Sequence, residues 1–319
     1  MFTKYFNLQM FANMNTQTTM SEGLSPEMKV YYSDYLIDNA LPKLVHDQFG
    51  QKHPIPKNGG KTIEFRKYNP LPKLLTPIVD GITPDGQNME TSTIEATVNQ
   101  YGGYITLSDV LLLTAIDNNL VQATKLLGNQ AGATLDTITR EVLNGGTNVV
   151  YAGGVESRSA VSSNLTVADI KLAVRALKAQ NAEKIGDSYV AIIHPDVTHD
   201  LTNDPTWQAV KDYDPKDWYE GEIGKIAGVR FVETTEAKIF EGGIYSTLIL
   251  GDNAYGVTEI EGGGLQHITK QLGSAGSADP LNQRASVGWK AIKCAERLVE
   301  QFMVRIESKS TFSDEVSAN

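Results

Sequence analysis

Cysteine is all but missing from this chain: Cys294 is the only one in 319 residues. That excludes an intrachain disulfide and a zinc site built on cysteines. Cys294 itself reads as a small buried hydrophobe. Long apolar runs are missing too. No stretch approaches the ~20 residues a membrane helix needs. The opening residues, Met1 to Ala12, carry one Lys and are interrupted by Asn7 and Gln9, so they lack the apolar core of a secretory signal. A soluble product made in the cytoplasm is the expectation.

Motifs of catalysis are equally scarce. Gly262-Gly263-Gly264 has no Lys-Ser/Thr after it and is no P-loop. No G-x-S-x-G elbow occurs. There are five histidines: His46, His53, His194, His199 and His267. His194 and His199 stand five apart, not four, and no Glu follows the first, so a zincin helix is not met. A histidine at a strand end beside a turn is the better reading of His194. Asp212-Tyr213-Asp214-Pro215-Lys216-Asp217 begins like a calcium loop and then fails. Lys216 takes a ligand position, Asp217 the turn glycine's, and Ile223 that of the bidentate Glu. Residues 196–222 hold eight acids and two bases, which reads as a solvated acidic loop. No catalytic residue, metal or cofactor is assigned.

Positive charge is scarce as well, and unevenly placed. Residues 1–75 hold nine Lys/Arg and six Asp/Glu, a balance of +3; the remainder holds 19 and 32, a balance of −13, which gives the net −10. Sequence-specific duplex binding needs a basic face that releases counterions. The body of the chain lacks that balance, so no sequence-specific nucleic-acid binding is expected, and no membrane partner either.

What is present is pattern. Hydrophobic residues make up 41% and charged residues 21%, ordinary globular values that allow a substantial core. The length suggests two domains or one elaborated one. Residues 1–25 are polar and aperiodic; a short helix after Pro26 is expected from Tyr31, Tyr35 and Leu36, ending at Pro42. Eight of the twelve prolines precede residue 85, so this third of the chain should be extended. Within it, Thr62 to Tyr68 alternates with Ile63 and Phe65 on one face. Ile94 to Val98 alternates with Ile94, Ala96 and Val98 on one face. Two strands of a hairpin follow. The connection over residues 69–93 holds four prolines, and one this long usually has a job. Leu71, Leu74, Leu75, Ile78 and Val79 lie in it. They are too apolar for an idle solvent loop and are the predicted contact with another subunit.

Ser108-Asp109 is a candidate N-cap. From Leu113 to Val142 an apolar stripe steps by three or four, and Asn144-Gly145-Gly146 gives the stop. An unbroken helix from Ser108 to Leu143 would be about 54 Å long, with Gly128 and Gly132 as its weak points. After a Gly/Ser-rich link the texture becomes α/β. Thr166 and Asp169 form a candidate capping box before a helix lined by Ile170, Val174 and Leu177. Tyr189 to Ile193 is a buried strand ended by His194-Pro195, Val229 to Glu233 a second, and Leu248 to Leu250 and Tyr255 to Thr258 follow. Near the end, Trp289, Ile292, Ala295, Leu298 and Phe302 fit a helical stripe. Strands over Ser286–Lys293 and Phe302–Glu307 are preferred, because Val287, Trp289 and the alternating 303–307 suit a sheet.

In this order the elements resemble the major capsid proteins of tailed phages, the Johnson fold. Local strings carry the resemblance: Asn7-Leu8-Gln9-Met10-Phe11-Ala12; Tyr189 to Pro195 with Asp200-Leu201; Gly221 to Thr234 around Gly228-Val229-Arg230-Phe231-Val232; and Ser286 to Lys290 with Arg305-Ile306-Glu307. The subgroup most similar is the capsid family shared by N4-like podoviruses. The resemblance implies an α+β fold with an N-terminal arm (1–57), an E-loop hairpin (58–104) and a peripheral domain with a spine helix (105–159 and 246–310). A central α/β axial domain (160–245) and a C-terminal tail (311–319) complete it. It implies a non-enzymatic subunit that self-assembles through hexamers and pentamers into an icosahedral shell around double-stranded DNA. Such a subunit would be assembled in the host cytoplasm and reside in the virion. Scaffold, portal and decoration proteins are further implied partners. Two other readings stay open: a cellular nanocompartment shell of the same fold, and a soluble α/β enzyme or ligand-binding protein. The least poor site for the last is His194, Asp196 and His199.

Overall fold

A computed structural model describes residues 16–17, 44–56, 60–68, 71–77, 80–81, 85–115, 119–211, 224–258, 264–314 and 316–319. The expected helix after Pro26, the Asn7 to Ala12 string, Ile78 and Val79, and the Asp212 to Asp217 stretch lie outside them. The strands and helices run β1 (Thr16–Gln17), β2 (Gln51–Lys52), β3 (Thr62–Tyr68), β4 (Thr91–Thr97), β5 (Asn99–Ser108), α1 (Asp109–Thr114), α2 (Asn119–Asn144), β6 (Val149–Tyr151), α3 (Val167–Ala179) and β7 (Tyr189–Ile193). They continue α4 (Pro195–Thr202), α5 (Pro205–Lys211), β8 (Lys225–Ile226), β9 (Val229–Glu233), β10 (Ile239–Phe240), β11 (Ile244–Leu250), β12 (Tyr255–Thr258), β13 (Gln266–Lys270), β14 (Arg284–Arg297) and β15 (Met303–Ser308). The architecture is α+β. The C-terminal segments are strands, as preferred.

Two compact units share the chain. The smaller holds the described residues of Met1–Leu41, Gln100–Gly132 and Leu265–Ala291; the larger holds those of Pro42–Asn99, Ala133–Gly264 and Ile292–Asn319.

In the smaller unit β1 lies parallel to β5, β5 lies beside β14, and β13 pairs antiparallel with β14 from Gln266↔Lys290 to Lys270↔Ser286. Ser108 caps α1, its side chain accepting from the Leu111 amide at 3.2 Å. The helix expected to run unbroken to Leu143 stops at Ala115, which is extended (φ −71°, ψ 137°). It passes without interruption through Gly128 and Gly132. The reason is tertiary. Leu111 and Ala123 share one small core with Leu107, yet twelve residues on a straight helix would separate them by about 18 Å. The chain must turn between them. Gly128, with open space around it, costs about 1 kcal/mol of propensity but forces no break.

The larger unit is built on a seven-stranded sheet in the order β6-β15-β11-β7-β9-β8, with β10 paired to β11. Side chains alternate across it. Tyr189, Ala191 and Ile193 of β7 face a core made with Ile170, Val174 and Leu177 of α3; Ile192 faces a second core with Leu143, Leu248 and Met303. A strand covered on both sides must be apolar throughout, which is why Tyr189 to Ile193 reads as a continuous run. Thr166 and Asp169 form the expected capping box of α3.

Charged groups fasten this unit internally. His46 Nδ1 lies 2.6 Å from Asp136 Oδ2, with both side chains wholly buried. Thr139 donates to Asp47 at 2.5 Å, and Lys293 reaches Asp47 and, at 2.8 Å, the Leu135 carbonyl. Residues 44–50, which lead into β2, are thereby tied to the second half of α2. Beside them, Arg305 of β15 donates to the Asn144 and Gly146 carbonyls that end α2 and to buried Glu307 at 2.8 Å. Arg158 closes the other side of Glu307 with two bonds of 2.7 Å.

The β8–β9 hairpin pairs Ile226 with Val229, leaving a two-residue turn, Ala227-Gly228. Both residues have positive φ, 52° and 80°, the geometry that favours Asn-Gly. An alanine held there is strained by about 1 kcal/mol. Ala227→Asn should therefore raise the midpoint of thermal unfolding, by about 1 kcal/mol of stability. An unchanged or lower midpoint would show that the turn is unstrained.

Candidate functional site

The hairpin expected from alternation is present. Strands β3 and β4 pair antiparallel over seven positions, from Thr62↔Thr97 to Tyr68↔Thr91, with Ile63 opposite Ala96 and Phe65 opposite Ile94. One face is thus apolar, and it is the half-buried to buried one: Ile63, Phe65, Ile94 and Ala96. The opposite face, including Glu64, Arg66 and Glu95, is exposed.

The base of the hairpin has a prepared seat. Phe65, Ile63 and Ile94 line a 430 Å³ cleft with Gln51, His53, Asn253 and Leu298. His53 meets the Phe65 ring edge-on, centroids 5.6 Å apart. Its Nε2 lies 3.1 Å from Gln51 Oε1, and the Gln51 amide donates to Asn253. The short parallel pairing of β2 with β12 holds this frame. Gly256 of β12 makes the fit possible, since a Cβ there would sit 3.1 Å from Phe65 Cζ and 3.4 Å from Leu298 Cδ1. One local signal points to the seat: a glycine inside a strand, which often marks a close approach. Its partners come from distant segments and carried no signal.

Past the paired strands the described residues of the connection form neither helix nor strand. Leu71, Leu74 and Leu75 are 53%, 74% and 85% exposed, and Met89 is 75% exposed. Of the five residues expected at a subunit contact, these three leucines are therefore open to solvent within this chain.

The alternative site does not come together. His194 is the N-cap of α4: its Nδ1 accepts from the Asp196 amide at 3.2 Å, and Pro195 follows at the first helical position. Burial lowers its pKa, against the upward pull of Asp196 and Glu233, which favours the neutral ring that a cap requires. The Asp196 carboxylate accepts from Tyr245 Oη at 2.6 Å. His199 points elsewhere, exposed, with its ring edge-on to Phe312 at 5.4 Å. Asp200 binds the Thr311 amide and hydroxyl at 2.9 and 2.7 Å. Each group has a structural task. Among the described residues no three His, Cys, Asp or Glu side chains converge as metal ligands would. Cys294 is half-buried in β14, and burial, then Glu296, pushes its pKa up, so the reactive thiolate is disfavoured.

A protein-family model described as phage capsid protein matches residues 90–292, more than half of the chain. No curated protein matches significantly. Among solved structures the chain is similar to the capsid of Ralstonia phage GP4, with 14% identity over 93% of this chain and 99% of that one and a TM-score of 0.67. It is similar also to the capsid of cyanophage P-SCSP1u, with 13% identity over 90% and 94% and a TM-score of 0.66. The head of Helicobacter pylori phage KHP40 gives 12% identity over 93% and 99%, with a TM-score of 0.62.

Two outcomes follow. Gly256→Val should cost about 1–3 kcal/mol through overpacking and unseat Phe65. Trypsin cleavage after Arg66 and Lys67 should quicken, and Phe65→Leu in the same chain should partly reverse both effects; unchanged cleavage would mean that Gly256 does not set the seat. His194→Ala should cost about 1 kcal/mol of cap energy at pH 7, and His194→Asn should retain it. A base whose folded pKa is lowered binds fewer protons folded than unfolded, so its contribution falls as pH drops below the unfolded value of about 6.5 toward the folded one. Chemical denaturation across that window should show this loss in the parent chain and not in His194→Asn. Equal pH slopes would contradict the neutral-cap assignment.

Proposed function

Since the chain belongs to the phage capsid protein family, a structural and not a catalytic one, we propose that it is the shell subunit of a tailed phage. Copies assemble as hexamers and pentamers into an icosahedral shell that encloses double-stranded DNA. Its local strings favour the N4-like podovirus subgroup. In this reading residues 1–57 are an arm, 58–104 the E-loop, 105–159 with 246–310 the peripheral domain, 160–245 the axial domain and 311–319 the tail. Scaffold, portal and decoration proteins are the further partners it would meet.

One observation carries the assembly role of the hairpin: its base is seated on its own chain, while Leu71, Leu74 and Leu75 beyond it are exposed. Large apolar side chains left exposed together in one short segment mark a contact. The extension lies across an adjacent subunit, with Ile78 and Val79 taken to continue the contact. Specific interfaces bury on the order of 1,200–2,000 Å² in total, and a clasp of this length would supply a substantial part. An acidic body suits a container for DNA, because it does not adhere to the packed phosphates.

The register permits a clean test. Replacing residues 70–90 by one glycine leaves Tyr68-Asn69-Gly-Thr91, a two-residue Asn-Gly turn across the last pair of the hairpin. The shortened chain should keep its circular dichroism spectrum and melt cooperatively. In sedimentation it should lose closed shells. Normal shells would remove the loop from assembly; failure to fold would place the segment in the core.

A further inference from the structure

The sheet of the smaller unit ends on an open edge. Strand β14 has β5 on one side and β13 on the other, and among the described residues no strand lies beyond β13. Every residue of β13, Gln266-His267-Ile268-Thr269-Lys270, is exposed, although successive side chains point to opposite faces. No other layer of the described chain therefore covers either face of this strand. An edge of that kind is a template for a strand from another chain. Proteins blunt such edges with proline, with bulges or with charge. Here there is no proline, the pairing with β14 skips no position, and the one lysine, Lys270, stands at the end.

The strand is complementary to itself. Laid antiparallel to a second copy about its middle residue, it sets Ile268 against Ile268, Gln266 against Lys270 and His267 against Thr269. No like charges then stand directly opposite, where they would destabilise. This is the one two-fold register that pairs the whole strand; an axis at His267 or Thr269 pairs only 266–268 or 268–270 within it. The middle row is also apolar. Ile268 stands opposite Gly288, and a Cβ on Gly288 would fall 2.9 Å from Tyr104 Cβ, so the three residues share one face. Tyr104 is 59% and Ile268 36% exposed. Pairing about Ile268 carries this row across the joint to the same residues of the other copy. The connection within the β3–β4 hairpin is a poorer occupant, because Pro72 and Pro77 lack the amide that such pairing uses.

We infer that β13 pairs antiparallel with β13 of a second copy, on a two-fold axis through Ile268, and so joins the sheets of two smaller units into one. One contact then satisfies both open edges at once. A contact of this kind uses the same patch on both copies and closes on itself, whereas neighbours within a ring meet head to tail. It therefore ties one ring of subunits to the next. Five residues a side is little beside the ~1,200–2,000 Å² of a stable interface, so the pairing forms in an assembly that other contacts also hold. The inference rests on the shell-subunit reading and names the surface that joins rings.

Disulfide trapping tests it. Directly opposed residues of antiparallel strands have Cα atoms about 4.5 or 5.5 Å apart, inside the about 4.4–6.8 Å that a disulfide spans. Every full-length chain carries Cys294→Ala, and Ile268→Cys, Gln266→Cys, Lys270→Cys or Leu281→Cys is added singly. Each is checked by circular dichroism, brought to a concentration at which the parent associates in sedimentation, treated with oxidised glutathione and run on a non-reducing gel. Ile268→Cys should give covalent dimers about tenfold or more faster than Leu281→Cys, which is 75% exposed and off the strand. Gln266→Cys and Lys270→Cys should give few dimers alone and many in an equimolar mixture, because each faces the other across the axis. Should Ile268→Cys misfold, that mixture carries the test. Associated Ile268→Cys chains that keep a free thiol overturn the inference, leave the shell reading intact and assign the edge to another segment. Ile268→Cys dimers no faster than those of Leu281→Cys reflect collision and overturn it. So do Gln266→Cys or Lys270→Cys dimers that form alone as fast as those of Ile268→Cys. A folded parent that never associates overturns the shell reading and this inference together.

Discussion

Arg305 holds the larger unit together. Its guanidinium leaves water to sit in the sheet, and burial, outweighing the pull of Glu307, lowers its pKa. That cost is offset by the acceptors it meets: the Asn144 and Gly146 carbonyls at the end of α2 and the Glu307 carboxylate. A helix end leaves its last carbonyls unpaired, and a cation there also meets the negative end of the helix dipole. One side chain of β15 thus stops the helix, orients it on the sheet and fixes Glu307 for Arg158. Arg158 in turn lies over the Phe240 ring, 3.6 Å from its centroid. Removing one member would leave a buried charge uncompensated, the circumstance in which such pairs matter most.

From that fixed body the functional parts depart in a graded way. Residues 44–50 are clamped to α2 by the His46–Asp136 and Asp47–Lys293 pairs. Strand β2 carries this order to the seat, and the seat holds the base of the hairpin by one aromatic ring over a glycine. Beyond the last paired residues the apolar side chains have no cover in the described chain. A subunit of a shell needs this division. The folded part must stand alone before assembly, and the clasp must keep its apolar surface for a neighbour.

The sequence made the local features legible. Alternation located β3 and β4 and the face they bury; Thr166 with Asp169 marked the start of α3; the His194-Pro195 turn marked the start of α4. These signals sit within a few residues of the structure they specify. Features set by distant contacts were not legible. The turn at Ala115 exists because Leu111 and Ala123 meet, while periodicity alone favours a straight helix. Strand β5 was missed because Gly102 and Gly103 interrupt its pattern, yet a Cβ on Gly102 would lie 2.7 Å from the Trp289 carbonyl. The buried ion pairs were invisible, because Asp136 and Lys293 look like surface residues until their partners are known. Of the candidate contact, composition singled out the leucines but not the seat that projects them.

A container subunit must assemble with copies of itself. Electron microscopy of the purified full-length chain tests it most directly. Closed isometric shells, or rings on the way to them, are expected in fields free of other proteins. A folded population that stays monomeric at every concentration and salt, above all one that holds a stoichiometric metal or small ligand, would contradict it.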